Sequence, residues 1–126
     1  MREAIQRGLD AERVRPATLN LRRKACAYHI NASGYKSSLR SRGLVFAYAL
    51  AVSEENASGG KIVTAPTCGS CGVVPAILHH LQDSRDFSDT KILRAMATAG
   101  LVGNIVKTNA SISCAEVGCQ GEVGVA

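Results

Sequence analysis

Apolar residues recur at helical spacing through most of the chain. Ile5 and Leu9 stand four apart within residues 2–12, which predicts a short amphipathic helix weakened by Gly8. Pro16 breaks the pattern, and Leu19 to His29 reads as a second helix, closed by a turn at Ser33-Gly34. A third helix is predicted from about Lys36 to Glu55. Its middle, LVFAYALAV, is apolar on every side and is therefore expected to be buried all round. The polar run Ser53 to Asn56 and then Ser58-Gly59-Gly60 bring it to a stop.

Lys61 to Thr64 favours extended backbone but is too short for more than a brief segment. Pro66, Gly69 and Gly72 then make a loop. From Val73 to Gln82 the positions Val74, Ile77, Leu78 and Leu81 form one helical stripe, with Pro75 in the first turn, where a missing N–H costs little. Asp83 to Ser88 connects to a last helix that Asp89 can cap and that runs to about Val106. Its small residues (Ala95, Ala97, Ala99, Gly100 and Gly103) allow close neighbours. Residues 107–121 read as a second loop. The expected fold class is mainly α: packed helices carrying two glycine- and cysteine-rich loops, with at most a very short extended segment. Gly118, Gly121 and Gly124 suit a tight turn into a further helix, so residues 1–126 are expected to be part of a larger domain.

Charge is uneven. Residues 1–60 hold 10 Lys/Arg against 5 Asp/Glu, and residues 61–126 hold five of each, so the whole net charge of +5 lies before the first loop. Arg22-Arg23-Lys24, followed by Lys36, Arg40 and Arg42, admits a nucleic-acid patch. Aromatics make up only 4%, too few to supply stacking platforms, and a solvated helix face explains the charges without nucleic acid. A basic rim of this kind also suits an acidic ligand or partner. Leu44 to Val52 is the longest apolar run; its nine residues fall short of the ~20 that a membrane span needs. The five cysteines are an odd number and too sparse for a disulfide framework, which favours free or ligating thiols in a reducing cytoplasm.

The first loop, TAPTCGSCG, has the makings of an anion cradle. Glycines let backbone approach a ligand, and the helix that follows presents unpaired N–H groups; a substrate carboxylate is a natural guest. Thr64 and Thr67 can add hydroxyl contacts, or can simply bond within the turn. No Gly-Lys-Ser/Thr closes the loop, so it is not a P-loop. Cys68 and Cys71 form a CxxC that reads as half a zinc site, a redox pair, or two small loop residues. Cys114 and Cys119 are five apart and do not complete a zinc ribbon. Cys119 lies between Gly118 and Gly121, which leave room for a bulky group at its sulfur, with Glu116 and Glu122 on either side. Lys107, Asn109, Ser111 and Ser113 make the same loop polar. His79 and His80 point about 100° apart on a helix, so they do not chelate one metal together; one against the core and one in solvent is the plain expectation.

SEENASGGKIVTAPTCGSCGVVPAILHHL and NIVKTNASISCAEVGCQGEVGVA resemble the iron–sulfur-dependent bacterial L-serine dehydratases, in their α or catalytic region. The resemblance runs from about Arg7-Gly8-Leu9 to the last residue. It implies a four-iron, four-sulfur cluster with one open iron that acts as a Lewis acid on the substrate hydroxyl, giving pyruvate and ammonia without pyridoxal phosphate. The cysteine of GCQGEVG is a ligand in that family and maps onto Cys119, the remaining ligands lying beyond Ala126. The TAPT loop is near the substrate in the family, which implicates Thr64, Ala65, Pro66, Thr67 and Gly69; Lys107, Asn109 and Ser111 are expected to shape a second wall. Many relatives carry Asn at the position of Cys68 and glycine at that of Cys114, so neither thiol is expected to be an obligatory ligand.

The expectation is thus a partial catalytic region, inactive alone, that works on L-serine with the rest of the α region and a β region in the same or a partner chain. A homo-oligomer, without nucleic acid or membrane, completes it. Two alternatives stand beside this one: a lyase for another small amino acid such as cysteine or threonine, and a non-enzymatic cysteine-based metal module.

Overall fold

In a computed structural model of the chain, residues 1–11, 21–109, 121, 123, 124 and 126 are described. Five helices make up the fold: α1 (Arg2–Asp10), α2 (Ala25–Ser33), α3 (Ser37–Ala57), α4 (Val73–Arg85) and α5 (Asp89–Asn109). No β-strand occurs among the described residues, and Lys61–Thr64 is irregular rather than extended into a strand. The fold is mainly α, as the periodicity predicts.

Helix α3 is the axis of the packing, in contact with α1, α2 and α4. Small residues set how closely the helices approach. A Cβ on Gly8 would stand 2.3 Å from the Ala51 carbonyl oxygen, and one on Gly43 would stand 2.8 Å from the Ala32 methyl. The core between α1, α3 and α4 contains Ile5, Tyr48, Val52, Cys71 and Ala76, with Leu9, Leu44 and Ile62 packed against it. The predicted pairing of Ile5 with Leu9 on one face is what buries α1.

Two expectations change. The middle of α3 is buried on one side only: Ala47, Tyr48, Ala51 and Val52 are inside, while Phe46 is 66% exposed. Three helices cover only part of its circumference, so the all-apolar run outlasts the packing available. The second helix begins at Ala25, not Leu19, and continues to Ser33; the part of the expected helix at residues 19 and 20 lies outside the described residues. Helix α5 buries no residue, and Leu93, Leu101 and Ile105 are each more than 60% exposed.

Two helix ends follow from local chemistry. Helix α3 closes in a Schellman turn: Gly59 N–H donates to Asn56 O (3.1 Å) and Gly60 N–H to Glu55 O (2.8 Å), with Gly59 left-handed at φ +74. Helix α4 stops at Asp86, a left-handed residue (φ 50) of a type that tolerates that region.

Candidate functional site

The end of α3 organises the first loop. Three successive polar residues, Glu54, Glu55 and Asn56, each hold a different piece of chain. The Glu54 carboxylate is buried and accepts the Lys24 N–H (2.7 Å) and the Ala25 N–H (3.4 Å), so it caps α2 from a neighbouring helix. Glu55 accepts Arg7 Nε on one oxygen and Arg23 Nη1 on the other, both at 3.1 Å, joining α1, α3 and the segment before α2. The Arg7 guanidinium also donates to the Lys61 carbonyl, tying the start of the loop to α1. Asn56 Nδ2 donates to the Cys68 carbonyl oxygen (3.0 Å). A Cβ on Gly60 would stand 2.6 Å from Glu55 Oε2, so any larger residue there would push on the carboxylate that the two arginines hold. In the sequence Glu54 and Glu55 read only as a polar stop to a long apolar helix.

Inside the loop the polar groups satisfy one another. Thr67 and Ser70 are buried; the Ser70 hydroxyl accepts from Thr67 N–H (3.2 Å), lies 3.1 Å from Thr67 Oγ1 and donates to Ala65 O (3.0 Å). Ala65 precedes Pro66 through a cis peptide bond. Gly72 sits against α3, where a Cβ would meet the Ala49 carbonyl oxygen at 2.5 Å. Cys71 is fully buried, and that burial, followed by the neighbouring Cys68, pushes its thiol pKa up, so it is a protonated packing residue at neutral pH. Cys68 is exposed.

Across from this loop stands α5. Between them is a cavity of about 540 Å³, a size suited to a small ligand. Thr64, Ala65 and Pro66 line one side; Met96, Gly103 and Lys107 are among the residues of α5 that line the other. The glycines and alanines of α5 leave this space open. The structure therefore brings Thr64, Ala65, Pro66 and Lys107 together. Thr67 turns inward to Ser70 and does not line the cavity, and neither does Gly69. Asn109 Nδ2 donates back to Ile105 O (2.8 Å) on its own helix. Ser111 and Cys119 lie outside the described residues, as do Cys114, Glu116 and Glu122. Among the described residues no three His, Cys, Asp or Glu side chains gather within metal-binding reach, so these residues alone do not make a cluster site.

His79 packs edge-on against Tyr48, ring centroids 4.7 Å apart, and His80 Nε2 lies 2.7 Å from Ser41 Oγ. The pair points in two directions, as adjacent helical positions require. Burial lowers the His79 pKa; Asp83 opposes this, while Arg2, His29 and His80 add to it. No helix among the described residues is long and apolar enough to cross a membrane.

Fold and site together define a helical protein in which a glycine-rich loop and a small-residue helix enclose a cleft with one lysine at its edge. The family model for the serine dehydratase alpha chain matches residues 1–126. Over its whole length the chain is 44% identical to L-serine dehydratase TdcG and 46% identical to L-serine dehydratase 1, both of Escherichia coli, covering 29% of each. It is 43% identical to an L-serine dehydratase of Streptomyces coelicolor, again over its whole length and covering 28% of that protein. The chain belongs to the serine dehydratase alpha-chain family. It spans under a third of the length of these relatives. No solved structure gives a significant match.

Proposed function

We propose that residues 1–126 form part of the catalytic α region of an L-serine dehydratase, a lyase that converts L-serine to pyruvate and ammonia. One observation carries this reading: the entire chain aligns with proteins named L-serine dehydratase at more than 40% identity. The cavity supports it. Thr64 offers a hydroxyl, the 64–66 backbone offers polar groups, and Lys107 offers an ammonium that suits the substrate carboxylate. In this reading Thr67 and Ser70 keep the loop in shape rather than touching substrate, and Gly69, Asn109 and Ser111 belong to the surrounding wall.

The proposed cofactor is a four-iron, four-sulfur cluster with Cys119 as one ligand and the others elsewhere in the complete enzyme. When bound, such a cluster supplies Lewis-acid activation of the leaving hydroxyl. The chain's own residues bind and orient the amino acid and keep bulk water from one side of it. Activity requires the remainder of the α region and the β region, in the same or a partner chain, and the assembly is a cytoplasmic homo-oligomer. The complete enzyme with Cys119→Ala, prepared without oxygen, is expected to lose both its cluster absorption and its pyruvate production. Retention of both would overturn the ligand assignment. A panel of L-serine, L-threonine and L-cysteine tests the substrate, since Cys68 stands exposed in the same loop.

A further inference from the structure

A second cavity lies at the other end of α4. It has a volume of about 620 Å³ and sits where the end of α2, the first half of α3 and the last turns of α4 meet. Val74, which lines the first cavity, and Arg85, which lines this one, are separated by roughly 16 Å of helix at 1.5 Å per residue. The two cavities are separate places.

Two arginines, Arg40 of α3 and Arg85 of α4, line this second space, and neither forms an ion pair among the described residues. Asp83 is the one carboxylate in the lining, and its Oδ2 lies 3.6 Å from His79 Nε2. With the histidines neutral, two positive charges face one negative. Neutral donors complete the set. Ser41 and His80 are bonded to each other at 2.7 Å and both line the cavity, so either presents a polar hydrogen according to the tautomer. Ser84 adds a hydroxyl. Excess positive charge with forked and hydroxyl donors, on two helices packed together, is the chemistry that recognises an oxoanion, and guanidinium matches phosphate with two parallel bonds. The volume exceeds what a bare ion needs and falls within the range of small-molecule sites.

We propose that this cavity binds a phosphate group carried on a small molecule, a phosphomonoester, at a site distinct from the cleft of the 64–66 loop. Of the basic residues before the first loop, Arg40 is the one that contributes to this site. The proposal does not depend on the serine reaction. Isothermal titration of the purified protein with inorganic phosphate and with glycerol phosphate tests it, against sodium chloride at equal ionic strength. Saturable binding of one equivalent is expected, tighter for the ester, and chloride does not compete. Arg40→Gln and Arg85→Gln each weaken it at least tenfold, and the double variant abolishes it. Arg40→Lys, which retains charge without the fork, falls between. Both arginines are exposed, so the variants keep the helical circular dichroism of the parent. Heats that follow ionic strength alone, or equal affinity in the double variant, would overturn the proposal.

Discussion

Glu54 provides a direct test of how the helices are joined. Its residue is 3% exposed, and its carboxylate binds the N–H groups of Lys24 and Ala25 at 2.7 and 3.4 Å. Helix α2 starts at Ala25, and its own N-cap side chain, Lys24, makes no capping bond. A glutamate from α3 thus does the work that Ser or Asp does in most helices. The shorter bond is charge-assisted and contributes about 1.5–3 kcal/mol, whereas the longer one is near the outer limit for a hydrogen bond and contributes little. A carboxylate at a helix N-terminus adds about 0.3–1 kcal/mol through the dipole. Glu54→Gln retains the volume and one accepting oxygen, so a loss of about 1 kcal/mol is expected. Glu54→Ala removes the acceptor of both N–H groups, the part-buried one of Lys24 and the buried one of Ala25, for a loss of about 2–4 kcal/mol. Urea unfolding followed by far-ultraviolet circular dichroism resolves the two: with a slope of about 1–3 kcal/mol per molar urea, a 3 kcal/mol loss moves the midpoint by roughly 1–3 M. If Glu54→Ala unfolds within about 0.5 kcal/mol of the parent, as an ordinary surface change does, the cross-helix cap is not holding α2.

Other outcomes follow from the same contacts. Gly72→Ala places a methyl 2.5 Å from the Ala49 carbonyl oxygen, so α4 has to move off α3, at about 1–3 kcal/mol; an unchanged melting temperature would contradict that contact. His79 has a pKa below its ordinary 6.5, chiefly through burial. The unfolded chain therefore binds the proton more tightly, and stability falls as pH drops below about 6.5. His79→Gln is expected to flatten that slope, and an unaltered slope would assign the acid sensitivity elsewhere. Under the proposed function, Thr64→Val and Lys107→Met in the complete protein are each expected to raise KM for L-serine about tenfold, a loss of about 1.4 kcal/mol. An unchanged KM in both would remove the cleft from substrate binding.

Element type was largely legible in the sequence, because helical periodicity is a local property. Ile5 and Leu9, the stripe on α4, and the glycine stop after α3 each concern residues within a turn or two of one another. The candidate loop was legible for a similar reason: TAPTCGSCG gathers proline, glycines and small polar residues within nine positions, and its first residues do line a cavity. Roles that depend on distant partners were not legible. Thr67 and Thr64 look alike in the sequence, yet one is locked to Ser70 inside the loop and the other lines the cavity. Glu54 and Glu55 look like a polar helix stop, and only the approach of α1 and residues 23–25 makes them buried connectors.

The chain by itself determined that it is helical, roughly where most of its helices lie, and which family it belongs to. These are matters of spacing and residue type, read over short stretches. Tertiary structure alone decided that α5 faces the loop across an open cleft, that Arg40 and Arg85 share a second cavity, and that one side of α3 stays uncovered. Each of these depends on which surfaces meet, and packing distances between segments far apart in sequence leave no periodic trace along it.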